Sequence, residues 1–188
     1  MAKGHLSKLD ITCLVLKHNP QIFATYEDEV QYIITHNQRN KFIKNLALDL
    51  KGNTLILFSR VEAHGKPLFE LIEQSVKNNR KVFFVHGGIN TEEREAVRSI
   101  VDTESDAIIV ASYGVFSTGI NIRNLHNVVF ASPSKSRIRN LQSIGRVLRK
   151  GKNKTKAMLY DISDDCTNKQ RRNYTFCLLY TSPSPRDS

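Results

Sequence analysis

The sequence predicts an α/β fold, a doubly wound parallel sheet in a single domain. Three observations predict it. From residue 54 onward, short apolar runs rich in β-branched and aromatic residues alternate with segments that keep a helical period. One of those runs, Ala107 to Ala111, is apolar without interruption, as expected of a strand buried on both faces. The chain has 188 residues, which supply one real core and leave little for a second.

The elements follow in order. Asp10 to Lys17 is a strand-like run, and a helical region spans about Glu27 to Leu50. Val30, Ile33 and Ile34, then Ile43, Leu46, Ala47 and Leu50, carry its apolar stripe, while the polar stretch Asn37 to Lys41 is expected to break or bend it. Residues 1–53 thus read as a lead-in strand and helical segment. Thr54 to Phe58 opens the core of the domain, residues 54–165. A helix from about Ala63 to Val76 buries Leu68, Leu71, Ile72 and Val76, and Lys81 to Val85 is the next strand. Asn90 is an N-cap with Glu93 three residues on, a capping-box pattern, ahead of a stripe of Ala96, Val97, Ile100 and Val101. After Ala107 to Ala111 come a loop with Gly114 and Gly119, a strand at Val128 to Ala131, an amphipathic helix over Gln142 to Arg149, and a last strand at Ala157 to Ile162. β-α-β-α-β-loop-β-α-β is the order of a parallel sheet with helices on both faces.

Residues 166–176 read as the start of a C-terminal extension. The remainder, Cys177-Leu-Leu-Tyr-Thr-Ser-Pro-Ser-Pro-Arg-Asp187 with Ser188, looks like the translation of a transposase-based sequencing adaptor. Residues 177–188 are therefore expected to be foreign to the biological chain and to contribute nothing to its fold.

Charge narrows the class of partner. The formal net charge is +10, from 28 basic and 18 acidic residues, and the sequence pI is near 9.7. Lys135, Arg137, Arg139, Arg146, Arg149, Lys150, Lys152, Lys154 and Lys156 run together with no acidic residue among them. A concentrated excess of this kind attracts polyanions, and nucleic acid is the usual one. Cys13, Cys166 and Cys177 are far apart, odd in number and without metal spacing, so reduced thiols and a cytoplasmic location are expected. No apolar run approaches the ~20 residues of a membrane span, and no metal site is expected.

In open parallel sheets, ligands bind beyond the carboxyl ends of the strands. The loops there hold Ser59-Arg60, then His86-Gly87-Gly88, then Ser112-Tyr113-Gly114 running on to Gly119-Ile120-Asn121, and finally Gln142-Ser-Ile-Gly-Arg-Val-Leu-Arg149. On a helix, Gln142, Arg146 and Arg149 project from one face, and two permanently charged guanidiniums one turn apart suit the oxygens of a phosphoryl group. Taken alone, the same helix suits a solvated basic face equally well, and His86-Gly87-Gly88 suits an ordinary strand-to-helix turn.

Order and spacing together carry a resemblance. Ser-Arg after one strand, His-Gly-Gly after the next, Ala-Ser and Gly-Ile-Asn after the third, then Gln-x-x-Gly-Arg-x-x-Arg, resemble the second RecA-like lobe of superfamily 2 helicases over about Leu6 to Asp165. Val110 to Gly119 and Ile144 to Lys150 are most similar to the recombination helicases of T-even phages. The resemblance implies a RecA-like sheet and assigns roles. Arg146 and Arg149 would be arginine fingers reaching the γ-phosphate of ATP held by the other lobe, a contribution of about 10³ to 10⁵ in rate. Gln142, Gly119, Asn121 and Gly145 would face the nucleotide, with Asn121 standing where many relatives have a carboxylate. Ser112, with Tyr113 beside it, and Arg60, His86 and Gly87 would meet the backbone of the tracked strand, giving sequence-tolerant, salt-dependent binding.

The resemblance further implies ATP and Mg²⁺ as cofactors, bound mainly by an N-terminal RecA-like lobe of the same protein. The expected substrate is single-stranded or branched DNA, with RNA also compatible. These 188 residues contain no Gly-rich phosphate loop with its Lys and Ser/Thr, and no strand-end acidic motif for Mg²⁺. The chain is accordingly expected to be a gene fragment that neither hydrolyses ATP nor unwinds a duplex alone. A free-standing nucleic-acid-binding lobe without enzymatic activity is the alternative, and the motor portion of a restriction enzyme is a third.

Overall fold

The computed structural model describes residues 8–77, 79–118, 122, 124–133, 156–166 and 175. The described strands are β1 (Lys8–Lys17), β2 (Thr54–Phe58), β3 (Val82–Val85), β4 (Ile108–Ser112), β5 (Asn127–Phe130) and β6 (Lys156–Asp165). The helices are α1 (Tyr26–Thr35), α2 (Asn37–Asp49), α3 (Lys66–Glu73), α4 (Thr91–Thr103) and the short α5 (Tyr113–Thr118). All six strands lie in one parallel sheet of order β1-β6-β5-β2-β4-β3.

Alternation along β2 shows how the core is divided. Leu55 and Leu57 point to one face, where they join Ile109, Val128, Leu159 and α4's Val101. Ile56 and Phe58 point to the other, against Ile43 and Ala47 of α2 and Leu68 and Ile72 of α3. Crossovers toward β3 thus run on one face and α4, which returns the chain from β3 to β4, on the opposite one. Right-handed connections require this arrangement. Both faces are covered, which is why the central strands read as continuous apolar runs.

The helical lead-in divides one residue earlier than its polar stretch implied. His36 ends α1 and caps α2, its Nδ1 accepting from the Arg39 N–H at 3.3 Å. Within the helical residues 37–41, two polar side chains turn inward to partners: Arg39 donates from Nε to Asp164 at 2.8 and 3.0 Å, and Asn40 donates to the Ile34 carbonyl at 2.9 Å. The helix expected from Ala63 starts with a π-helical turn, Val61–Gly65. Added carbon at Gly65 would lie 2.4 Å from the Phe58 ring, so only glycine lets this turn close onto the end of β2. α4 has the predicted capping box, with Asn90 accepting from the Glu93 N–H and Glu93 from the Asn90 N–H.

Candidate nucleic-acid interface

The carboxyl ends of β2, β3 and β4 form one rim, and three of the four expected motifs reach it. The fourth lies outside the described residues, as do Gly119, Asn121, Gln142, Gly145, Arg146 and Arg149.

Arg60 follows β2. Its backbone is extended, and its carbonyl accepts from the His64 and Gly65 N–H groups, which pins the π-helical turn. The side chain is 32% exposed and reaches α1, where it pairs with Glu27 and donates to Gln31 Oε1 at 2.7 Å. His86 follows β3, its ring tilted at 47° against Phe84, and its Nδ1 accepts from the Gly88 N–H at 3.1 Å. Gly87 is exposed, and a Cβ there would meet nothing within 4 Å, so the turn leaves open space over its backbone. Arg94 steadies the turn from α4, donating to the carbonyls of Gly87 at 3.3 Å and Ile89 at 2.8 Å.

Ser112 and Tyr113 follow β4. Ser112 Oγ accepts from the Val115 N–H at 3.4 Å and so starts α5. Tyr113, expected beside the tracked strand, is only 2% exposed and donates its hydroxyl to the Ser132 carbonyl at 3.0 Å. Its side chain serves the joint between β4 and β5 instead of the surface. An aromatic ring directly after a buried strand has a core to fill, and here that demand prevails.

Beneath the rim lies a buried polar relay that sequence reasoning did not single out. Ser132, after β5, accepts from the Ser59 N–H at 3.1 Å and sits 2.7 Å from His64 Nδ1. His64 Nε2 lies 3.2 Å from Asn40 Oδ1. The assignment that satisfies every atom has neutral His64 accepting the Ser132 hydroxyl proton and donating from Nε2 to Asn40. Burial, reinforced by the positive charge of Arg39, pushes the His64 pKa down to about 3, in agreement with a neutral ring. The signal was present in His64-Gly65, but a lone histidine in a loop does not reveal a partner 68 residues away.

At the β1–β6 end, Asp164 is held by Arg39 Nε and by His18 Nε2 at 2.8 Å. Burial would raise its pKa, yet Arg39 and His18 together keep it below the usual carboxylate range. Among the described residues Asp161 has no such cation, and burial with Asp164 nearby pushes it up to about 6. Among the described residues no group of three His, Cys, Asp or Glu could hold a metal. No described helix is long and apolar enough to cross a membrane.

Comparison with known proteins matches this architecture. Residues 22–151 match the family described as helicase conserved C-terminal domain. The chain is 40% identical over 173 residues to the ATP-dependent DNA helicase uvsW of Enterobacteria phage T4, covering 87% of this chain and 34% of that protein. The crystal structure of T4 UvsW superposes with a TM-score of 0.71 at 36% identity, over 93% of this chain and 37% of that one. The yeast DEAD-box splicing factor Prp28, at 20% identity and a TM-score of 0.58, shares the fold over 84% of this chain and 30% of its own. The chain therefore spans about a third of the length of the phage relative it matches. With a six-stranded parallel sheet, the ordered rim motifs and these matches together, the chain belongs to the helicase conserved C-terminal domain family and has the RecA-like fold of a superfamily 2 second lobe.

Proposed function

We propose that the chain is the second lobe of an ATP-dependent DNA helicase or translocase that unwinds or remodels branched DNA in recombination and replication. One observation carries the reading: Arg60, His86 with Gly87, and Ser112 lie at the carboxyl ends of three strands of the same sheet. An open glycine backbone, with a guanidinium now turned to α1 and a largely buried hydroxyl at the neighbouring strand ends, supplies group types that suit phosphate and sugar oxygens, which carry no base sequence. The T4 relative's description as an ATP-dependent DNA helicase supports DNA as the strand and ATP as the energy source.

In this reading the N-terminal lobe of the same protein holds ATP and Mg²⁺. Arg146 and Arg149 complete that site on lobe closure, with Gln142, Gly119, Asn121 and Gly145 beside the nucleotide. Hydrolysis reopens the cleft, and the rim shifts its grip on the strand. The chain alone binds DNA but turns over no ATP. The reading places the protein in the cytoplasm of a host cell.

Fluorescence anisotropy on the 188-residue chain tests the strand-binding half, with labelled single-stranded and branched DNA over a salt series. Affinity should fall steeply with salt, and Arg60→Gln should weaken binding and reduce the logarithmic salt slope by about one. A flat salt response would sink the reading. In the two-lobe protein, Arg149→Ala should keep ATP binding and lose most DNA-stimulated hydrolysis; near-normal turnover removes its finger role.

A further inference from the structure

Arg60 does not present an open guanidinium to the rim. Glu27, one helical turn before Gln31 on α1, pairs with its Nη2, while Gln31 Oε1 accepts from Nη1 at 2.7 Å. A carboxylate and an amide oxygen side by side offer the guanidinium much of what a phosphodiester offers, two acceptors with negative charge. The surroundings explain why the carboxylate stands there. α1 begins with Glu27, Asp28 and Glu29 behind the Thr25 capping box, which suits the positive end of the helix. Asp28 is used by the cap, donated to by the Thr25 N–H and hydroxyl, and buried Glu29 accepts from the Thr175 N–H and hydroxyl. Glu27 is the member of the three that turns to Arg60, and its side chain is 64% exposed.

We infer that Glu27 is a built-in competitor for the strand phosphate at Arg60, so that the rim binds nucleic acid only by displacing an internal mimic of it. This deepens the proposed function and rests on its assignment of Arg60 to the strand backbone. The competitor lowers affinity for any one phosphate position without abolishing it, because an exposed ion pair is weak and is screened by salt. A lobe that must release its strand once per cycle gains from weak, exchangeable contacts. Glu27 thereby sets residence time more than selectivity.

A double-mutant cycle on the 188-residue chain tests this, with dissociation constants for a single-stranded oligonucleotide at low and moderate salt. Glu27→Gln should tighten binding by roughly two- to fivefold, the scale of one exposed ion pair, and steepen the salt dependence. In the Arg60→Gln background the same substitution should have a much smaller effect, because only the general gain of one positive charge remains. Equal tightening in both backgrounds, or none in either, overturns the competitor while leaving the Arg60 contact standing. Weaker binding by Glu27→Gln also overturns it, since Glu27 would then be orienting Arg60 for the strand. If Arg60→Gln alone leaves affinity and salt slope unchanged, the strand contact itself is wrong and the competitor falls with it.

Discussion

His64 and Asp161 impose opposite demands on the folded state as pH changes. The His64 pKa drops from 6.5 unfolded to about 3 folded, so the unfolded chain binds more protons between those values. Its contribution to stability is complete above about pH 6.5 and is lost progressively as pH falls toward 3. Asp161 rises from 3.8 to about 6, so the folded chain binds more protons in that window and stability falls as pH increases through it. The two slopes, each at most about 1.4 kcal/mol per pH unit, largely cancel between about pH 4 and 6. His36, whose pKa burial also lowers, adds a slope of the His64 sign. Urea denaturation across that range should therefore show a shallow profile for the unmodified chain. Asp161→Asn should make stability climb with pH, and His64→Gln should make it decline. Parallel profiles for all three proteins would show that neither side chain titrates as its burial requires.

At the scale of an element, the π-helical turn after β2 depends on one missing carbon. Gly65→Ala places Cβ against the Cε2 and Cζ atoms of Phe58, a ring that is itself fully buried and stacks on Phe84. The ring cannot retreat without disturbing the face it fills, so the substitution should cost about 1–3 kcal/mol. Thermal or chemical denaturation would register it, and a stability equal to the parent chain's would mean the turn can slide away. α4 has a more modest dependence: Asn90→Ala removes the acceptor for the Glu93 N–H and should cost about 1 kcal/mol.

For the whole molecule, the order of the sheet decides which strand is exposed. β1 pairs with β6 over ten residues, from Lys8↔Lys156 to Lys17↔Asp165, and shields β6 from becoming an edge. Removing residues 1–17 would bare the β6 backbone together with apolar Leu159 and Ile162. Such a chain should self-associate in size-exclusion chromatography, because a long unpaired edge invites another strand; a monodisperse monomer would show that β6 needs no cover.

That pairing marks where reading the sequence stops. The β2 to β5 runs and the capping box at Asn90 were legible because burial on both faces and helix capping leave local signatures. The choice of β6 as the partner of β1 was not, since strand order is a property of the closed sheet. The site divides the same way. Arg60, His86, Gly87 and Ser112 were expected from motif order to face the strand, and they lie at the carboxyl ends of β2, β3 and β4. The partners Glu27, Asn40 and Ser132 were invisible because each comes from an element distant in sequence. Tyr113 was misplaced because its motif position does not state which way the ring turns, and packing turned it inward.

Ser132 has a further consequence. One hydroxyl receives the Ser59 N–H and meets the His64 ring, while the same residue's carbonyl receives Tyr113. The loops after β2, β4 and β5 are therefore closed by a single clasp. Moving the loop after β5 breaks its contacts with both of the others, and each break leaves buried polar atoms unpaired. The spacing of three strand ends thus depends on the position of one small residue, set by its backbone as much as by its side chain.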